Sequence, residues 1–480
     1  MKTSAKVATA CLCVALVAAI PAFAACSSQQ TYVTSIAKTG TDGTTDTYTV
    51  YYSDGSSSTF SVNNEADSLT ASDLYEEYKA QTGEDITFAE FLEKYLTVNA
   101  DSTALATNEC LLSTMKIYAQ FVETRMGMMY GRPYYVSDYN IYSGAAVIYD
   151  MDESEGGYTY IVTNYHVIYD SDADVSLNGG NLPASVHGYL YGSEGTFSDT
   201  GTDDEYGYTL YDYGDYAIDL EYVGGSVDND IAVLRAKTED IKKINPDAKE
   251  VTIGDGYHVG ETAFTVGNPD DYGMSVTRGI ISTVDEQIAL NIDGTKRYYR
   301  SMRIDTAIYS GNSGGGLFNS SGELIGIANA GAGEEQNINY AVPLEIVTGV
   351  ANNIIYYAND SDDDTVGGYD VNFGMTYSAT GSHYVLNVSS GYGSVVEDIN
   401  VAKVGGNSIA NAIGVQQGDV LTAIVINGNE TALERTYDID DASLTLRPGD
   451  VVNFKVSRDG EEVTLNGYTL ASTDFDSIDD

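Results

Sequence analysis

The chain has 480 residues and carries 23 Lys and Arg against 71 Asp and Glu, a formal net charge of −48. A surface of that sign repels phosphate backbones, so nucleic acid is excluded as an expected partner. The 43% hydrophobic content supplies real cores, and about 100–200 residues per domain gives room for two to four domains.

Residues 1–25 read as an export signal. Lys2 and Lys6 form a basic start, Val7 to Ile20 is apolar, and small residues follow in Ala22-Phe23-Ala24-Ala25-Cys26. Cleavage after Ala24 frees the protein, whereas cleavage before Cys26 allows lipid attachment to that cysteine. The segment Phe23 to Cys26 resembles a bacterial lipobox, with Phe where Leu is usual, and lipidation at Cys26 is the reading preferred here. Either way the expected location is the bacterial cell surface or the extracellular space. No later run of 18 or more apolar residues marks a further span. Cys11 and Cys13 leave with the signal. Cys110 is then a lone thiol, or a disulfide partner of Cys26 if that residue stays unmodified.

Residues 26–66 are rich in Thr, Ser, Tyr and Val, with turn signals at Asp42-Gly43 and Asp54-Gly55, and predict a β-hairpin or meander. Residues 67–105 predict a helical pair. Leu74, Tyr75 and Tyr78 fit the first helix; Thr87 and Glu90 cap a second, whose apolar face is Phe88, Phe91, Leu92, Tyr95 and Leu96. This front portion reads as a spacer. Residues 106–356 have the texture of a barrel or sandwich, with short strands broken by Gly, Asn and Asp. Their first strand is expected from the alternation of Leu111, Ser113, Met115, Ile117, Ala119 and Phe121. Residues 170–222 interrupt that texture and are expected to contain a long acidic surface loop. An acidic linker is expected at 357–366, a separate small β-rich domain at 367–472, and an acidic tail at 473–480.

A serine hydroxyl becomes a nucleophile only when a base takes its proton and a carboxylate orients that base. Ser313 lies in Tyr309-Ser310-Gly311-Asn312-Ser313-Gly314-Gly315-Gly316, where glycines let backbone N–H groups converge on one point. The chain has four histidines, and His166 ends the strand-like run from Tyr160. His187 lies in the interruption, His258 in a polar turn, and His383 beyond the linker. Asp230 stands directly before the apolar run Ile231 to Leu234, where burial demands a partner; Asp228 is its competitor and reads as more exposed.

These three segments, in this order, resemble the trypsin-like proteases of the HtrA/Deg group. The matching motifs are Thr163-Asn164-Tyr165-His166-Val167, Asp230 to Leu234, Gly267-Asn268-Pro269, Asp305-Thr306-Ala307, Gly311 to Gly315, Gly322 to Ile327, and Asn339 to Pro343. The resemblance implies a mainly β fold, a chymotrypsin-like double β-barrel of six strands each, with the catalytic site in the cleft. It implies that Ser313 attacks, His166 is the base and Asp230 orients it, with no metal or organic cofactor. Gly311 and Ser313, with Asn312 nearby, form the implied oxyanion hole. The implied specificity pocket is Ala307, Ile308 and the segment Ala328-Asn329-Ala330; with no carboxylate at Ala307, cleavage after small or aliphatic residues is expected. Two departures stand out: the long interruption before Asp230, and Ile308-Tyr309-Ser310 where the group often has Ile-Asn-Pro.

Gly414 to Leu421 resembles a segment of bacterial PDZ domains, with Phe373-Gly374-Met375 as the matching carboxylate loop. That resemblance implies capture of C-terminal peptides by strand addition. Unfolded or exported proteins are the implied substrates. Group members often form trimers, but the front portion does not resemble their trimer-forming segment, which leaves a homo-oligomer open. The rival reading is a catalytically silent surface protein, binding peptides or acting as a chaperone on the same scaffold.

Overall fold

The computed structural model describes residues 33–42, 45–52, 57–63, 75, 79, 102–175, 180–204, 207–292, 294–331, 337–359, 367–386 and 392–478. The expected export signal and Cys26 lie outside these residues, as do the expected helical pair, apart from Tyr75 and Lys79 and the start of α1 below, and most of the acidic linker. The chain divides into two compact units at residues 105 and 106. In the first, β1 (Val33–Asp42), β2 (Thr45–Tyr52) and β3 (Ser57–Asn63) form an antiparallel meander.

Helix α1 (Ser102–Leu111) precedes the first barrel. Leu111 therefore belongs to a helix and Ser113 to a turn, and the alternation expected from Leu111 begins only in β4 (Thr114–Met129). The barrel closes through β4, β5 (Arg132–Met151), β6 (Tyr158–Thr163), β7 (Ser185–Leu190), β10 (Ile218–Ser226) and β11 (Ile231–Lys237), in the order β10-β11-β6-β5-β4-β7. Between β7 and β10 a ribbon of β8 (Ser198–Asp203) and β9 (Thr209–Asp212) leaves the barrel. The interruption at 170–222 thus holds more than a surface loop. It supplies β7 and the start of β10, whose Tyr, Gly and Asp content conceals inward-facing Val186, Leu190, Ile218 and Leu220.

In β4 the period of two puts Met115, Ile117, Ala119 and Phe121 into the barrel core. The opposite face, Lys116, Tyr118 and Gln120, is buried as well. Tyr189 of β7 and the segment after that strand cover it: the Tyr118 ring meets Tyr189 at 5.9 Å and Phe197 at 5.1 Å, and Tyr213 Oη donates to Gln120 Oε1 at 2.6 Å.

Helix α2 (Thr238–Ile244) and the short β12 (Thr252–Ile253) connect to the second barrel. There β13 (Thr262–Gly267), β14 (Ser275–Asn291), β15 (Lys296–Ile304), β16 (Gly316–Asn319), β17 (Glu323–Gly331) and β18 (Asn339–Pro343) close a ring by the β17–β18 pairing, and β12 adds alongside β17 in parallel. Its core includes Ile281, Met302, Ile304, Leu317 and Ile325.

Helix α3 (Leu344–Ala358) runs past residue 356 and serves both sides of the domain junction. Its fully buried Asn353 donates to the carbonyls of Tyr369 and Leu444, both at 2.7 Å, and accepts from Tyr369 N–H at 2.8 Å. The C-terminal domain contains β19 (Tyr369–Val371), β20 (Met375–Leu386), β21 (Gly393–Val404), α4 (Ile409–Ile413), β22 (Val420–Ile426), β23 (Asn429–Ala432), α5 (Asp438–Thr445), β24 (Val451–Arg458), β25 (Glu461–Thr464), β26 (Tyr468–Thr469) and β27 (Phe475–Ser477). Its main sheet runs β20-β21-β22-β24-β25, with β20 at the edge. The end expected as an acidic tail instead forms β27, which pairs with β19 and places Ile478 in a core cluster with α3. Paired carboxylates and arginines line the seam between the domains. Arg300 of β15 meets Asp441 of α5 at 2.7 Å, Arg435 meets Asp285 of β14 at 2.5 Å, and the Tyr437 ring lies 3.9 Å from the Arg300 guanidinium and 4.9 Å from that of Arg435.

Candidate active site

Strands β6 and β11 are paired neighbours, with Thr163 opposite Ala232. The residues that follow β6 and precede β11 are therefore delivered side by side. One 3₁₀ turn (Tyr165–Val167) carries His166 out of β6, and Asp230 enters β11 with a positive φ of 52°. His166 Nδ1 lies 2.9 Å from Asp230 Oδ2 and 3.1 Å from Oδ1, while His166 N–H donates to Oδ1 at 3.0 Å. Asp230 is fully buried, and these bonds answer its desolvation. Burial alone would lower the His166 pKa, but the charge and hydrogen bond of Asp230 outweigh it and hold the imidazole above its ordinary value. The competitor Asp228 is exposed and pairs with Arg297.

Ser313 lies on the loop between β15 and β16 of the second barrel. Its hydroxyl donates to the Asn329 carbonyl at 3.1 Å, and its own carbonyl accepts from Ala145 N–H at 2.9 Å. Asn164, two residues before His166 and fully buried, ties the three segments together. Its Nδ2 donates to the Asp230 carbonyl at 2.9 Å and its Oδ1 accepts from Gly314 N–H at 2.7 Å. Sequence reasoning quoted Asn164 as part of a motif but gave it no task. The signal was there: a polar residue at the end of an apolar strand, beside the candidate base.

Two glycines of the loop cannot be replaced. Gly311 has φ +91°, and a Cβ there would stand 2.2 Å from the Asn268 carbonyl oxygen; at Gly314, φ is +85° and a Cβ would stand 2.1 Å from the Ala145 carbonyl oxygen. The Ser310 carbonyl accepts from Asp270 N–H at 2.6 Å. In a trans peptide the C=O and the next N–H point opposite ways, so the Gly311 N–H faces away from the 268–271 turn. Asn312 N–H donates to the Tyr309 carbonyl at 3.0 Å. That internal bond occupies the N–H of Asn312, one of the three residues expected to form the oxyanion hole.

The expected specificity pocket comes from two segments. Ala307 and Ile308 precede the serine loop, and Ala328, Asn329 and Ala330 belong to β17, which meets the Ser313 hydroxyl through the Asn329 carbonyl. Asn329 is buried, and its carboxamide has no hydrogen-bond partner among the described residues, so this segment is not purely apolar. In the C-terminal domain, Phe373 and Met375 line a cavity of about 870 Å³ with Tyr377, Arg300 and Arg435. The Gly374 N–H is already bonded to Asn372 Oδ1 at 2.9 Å, and the carbonyls of Phe373 and Gly374 accept from Ala410 and Gly405. The other histidines are occupied elsewhere or exposed. His187 pairs with Asp219, His258 stacks on Tyr392, and His383 faces solvent. The Cys110 thiol is buried, donates to the Gly322 carbonyl at 3.3 Å, and is pushed up to about 12 by burial.

The Trypsin-like peptidase domain family matches residues 143–327, a span that holds His166, Asp230 and Ser313. The Serine protease Do-like HtrA of Lactococcus lactis subsp. cremoris is 27% identical over 347 residues, which cover 69% of this chain and 71% of that protein. The chain carries a trypsin-like peptidase domain and is similar to serine proteases of the HtrA group. This protease is also similar to the Serine endoprotease DegS of Escherichia coli K12, with 28% identity over 315 residues, 64% of this chain and 72% of the relative. Among solved structures, the HtrA-type protease AlgW with decapeptide is 21% identical and covers 77% of the protease and 98% of its own chain, at a TM-score of 0.46. No helix among the described residues is long and apolar enough to cross a membrane.

Proposed function

We propose that this protease cleaves peptide bonds through a triad of Ser313, His166 and Asp230, acting on unfolded or exported proteins at the bacterial surface. The observation that carries the reading is the pairing of His166 Nδ1 with the fully buried carboxylate of Asp230 at 2.9 Å, joined through Asn164 to the residue after Ser313. In this reading Asp230 fixes the tautomer, so that His166 Nε2 takes the hydroxyl proton as Ser313 attacks the scissile carbonyl. The Ser313 hydroxyl turns from the Asn329 carbonyl to the imidazole as substrate enters. The Gly311 and Ser313 N–H groups receive the oxyanion, and loss of one such donor costs about 100–1000-fold in rate. The protonated His166 then delivers its proton to the leaving amine, and water resolves the acyl-enzyme. Ala307, Ile308 and Ala328 to Ala330 are the proposed pocket for a small or aliphatic side chain. The edge strand β20 with Phe373-Gly374-Met375 is the proposed seat of a C-terminal peptide, which would add as a strand. A fluorophosphonate probe tests the core of the proposal. Labelling of folded wild-type protein that disappears in Ser313→Ala is expected; folded wild-type protein that stays unlabelled favours the silent scaffold.

A further inference from the structure

The turn that holds the serine loop is itself held by side chains remote from the reacting atoms. Residues 268–271 meet the loop through two backbone bonds. Asp270 N–H donates to the Ser310 carbonyl at 2.6 Å, and Asn268 N–H donates to the Gly311 carbonyl at 3.3 Å. These bonds fix the direction of the Gly311 N–H. The turn is strained, since Asp270 has φ 49° and Asp271 has φ 58°, and both are non-glycine residues. Such a backbone persists only where its surroundings over-determine it.

Here those surroundings are the outer face of β4, in the other barrel. Tyr118 Oη lies 2.8 Å from both carboxylate oxygens of Asp271. Lys116 Nζ lies 3.3 Å from Asp271 Oδ1 and 2.9 Å from Tyr118 Oη. Lys116 and Tyr118 are 4% and 1% exposed, and a lysine so buried must be paired. Asn268 Nδ2 adds a bond to Asp271 Oδ1 at 3.1 Å. The long segment between β7 and β10 braces the same place from outside: Phe197 packs edge-on against Tyr118, and Glu194 Oε2 accepts from Met274 N–H at 3.0 Å.

We infer that Lys116, Tyr118 and Asp271 form a latch that sets the oxyanion loop, and that Glu194 and Phe197 clamp it. All three are positioning residues, because none touches a reacting atom. With the latch intact, the Ser310–Gly311 peptide keeps its carbonyl on Asp270 and its N–H free for the oxyanion. With the latch broken, the two left-handed residues relax, the Asp270 N–H leaves the Ser310 carbonyl, and that peptide can rotate. The inference rests on the triad reading above and extends it to residues about 40 to 200 positions away in the chain.

The test uses the full chain and a peptide substrate, with active-site concentration set by burst titration. Asp271→Asn and Lys116→Met are expected to lower kcat at least about tenfold, a fraction of the full loss of one oxyanion donor, while KM changes less than about twofold. A peptidyl trifluoromethyl ketone, which forms the tetrahedral adduct, is expected to weaken by the same factor as kcat. A product-like peptide is expected to bind as before. Glu194→Ala, which removes the acceptor of the Met274 N–H and leaves the buried pair intact, covers the case in which the core variants do not fold; it should give a smaller fall of the same kind. Hydrolysis that survives Ser313→Ala would remove the triad reading and the latch with it. Hydrolysis that depends on Ser313, with kcat within about twofold of wild type in folded Asp271→Asn or in Glu194→Ala, overturns the latch alone.

Discussion

Replacing Asn164 with Ala removes a side chain that bonds both the aspartate and the serine segments. Two bonds go: Nδ2 to the Asp230 carbonyl at 2.9 Å and Oδ1 from Gly314 N–H at 2.7 Å. Gly314 N–H keeps a second acceptor, the Ala328 carbonyl at 2.9 Å. The Asp230 carbonyl loses its partner in a fully buried place, which costs about 1–3 kcal/mol, and the vacated volume adds about 1 kcal/mol. The sum is about 2–4 kcal/mol, a drop in melting temperature of about 5–10 °C at the few degrees per kcal/mol usual for a domain of this size. Because the same bonds set the Asp230–His166 turn against the Ser313 loop, kcat should fall about tenfold or more with KM little changed. Calorimetry and steady-state kinetics on the purified variant check both numbers. A variant that melts within about 1 °C of wild type and keeps its kcat would refute the idea that Asn164 couples the three segments.

Asp230→Asn should lower kcat by about 10⁴ and move the acid limb of the rate profile down. Burial opposes charge on His166, and Asp230 reverses that effect, so neutral base is lost in wild type as pH falls through a value above the ordinary His pKa of about 6.5. Without the carboxylate only burial remains; a limb that stays in place after the substitution contradicts this account. At the domain seam, burial raises Asp441 to about 7 against the opposing pull of Arg300, and raises Asp370 to about 6. A carboxyl whose folded pKa is raised binds its proton more tightly in the folded state, so stability falls from the unfolded value near 4 up to the folded value. The midpoint of thermal unfolding should therefore be higher at pH 5 than at pH 8, and Asp441→Asn should flatten the difference; an unchanged slope in that variant counts against the assignment.

What could be read from the sequence was local. His166, Asp230 and Ser313 each sit in a short run whose chemistry is complete within a few residues, so their segments stood out. The latch was invisible because Lys116 and Asp271 are 155 positions apart and neither residue type is expected to be buried. Strands β7 and β10 were hidden by tyrosines and aspartates on their outer positions, which mask the period of two. At β27 the acidic residues hid Phe475 and Ile478, whose spacing was the only sign that the chain returns to pair with β19. The bond made by Asn312 was hidden for a geometric reason: the turn that frees Gly311 spends the Asn312 N–H on Tyr309.

Asn353 belongs to the helix that ends the second barrel, yet its three side-chain hydrogen bonds to described residues go to backbone of the domain beyond. Pulling the domains apart would break these bonds and expose to water the apolar side chains packed around them, Val350, Ile354, Leu444 and Ile478. Separation and melting are thus linked events: the junction behaves as shared interior rather than as a hinge, and heating should release both domains in a single transition.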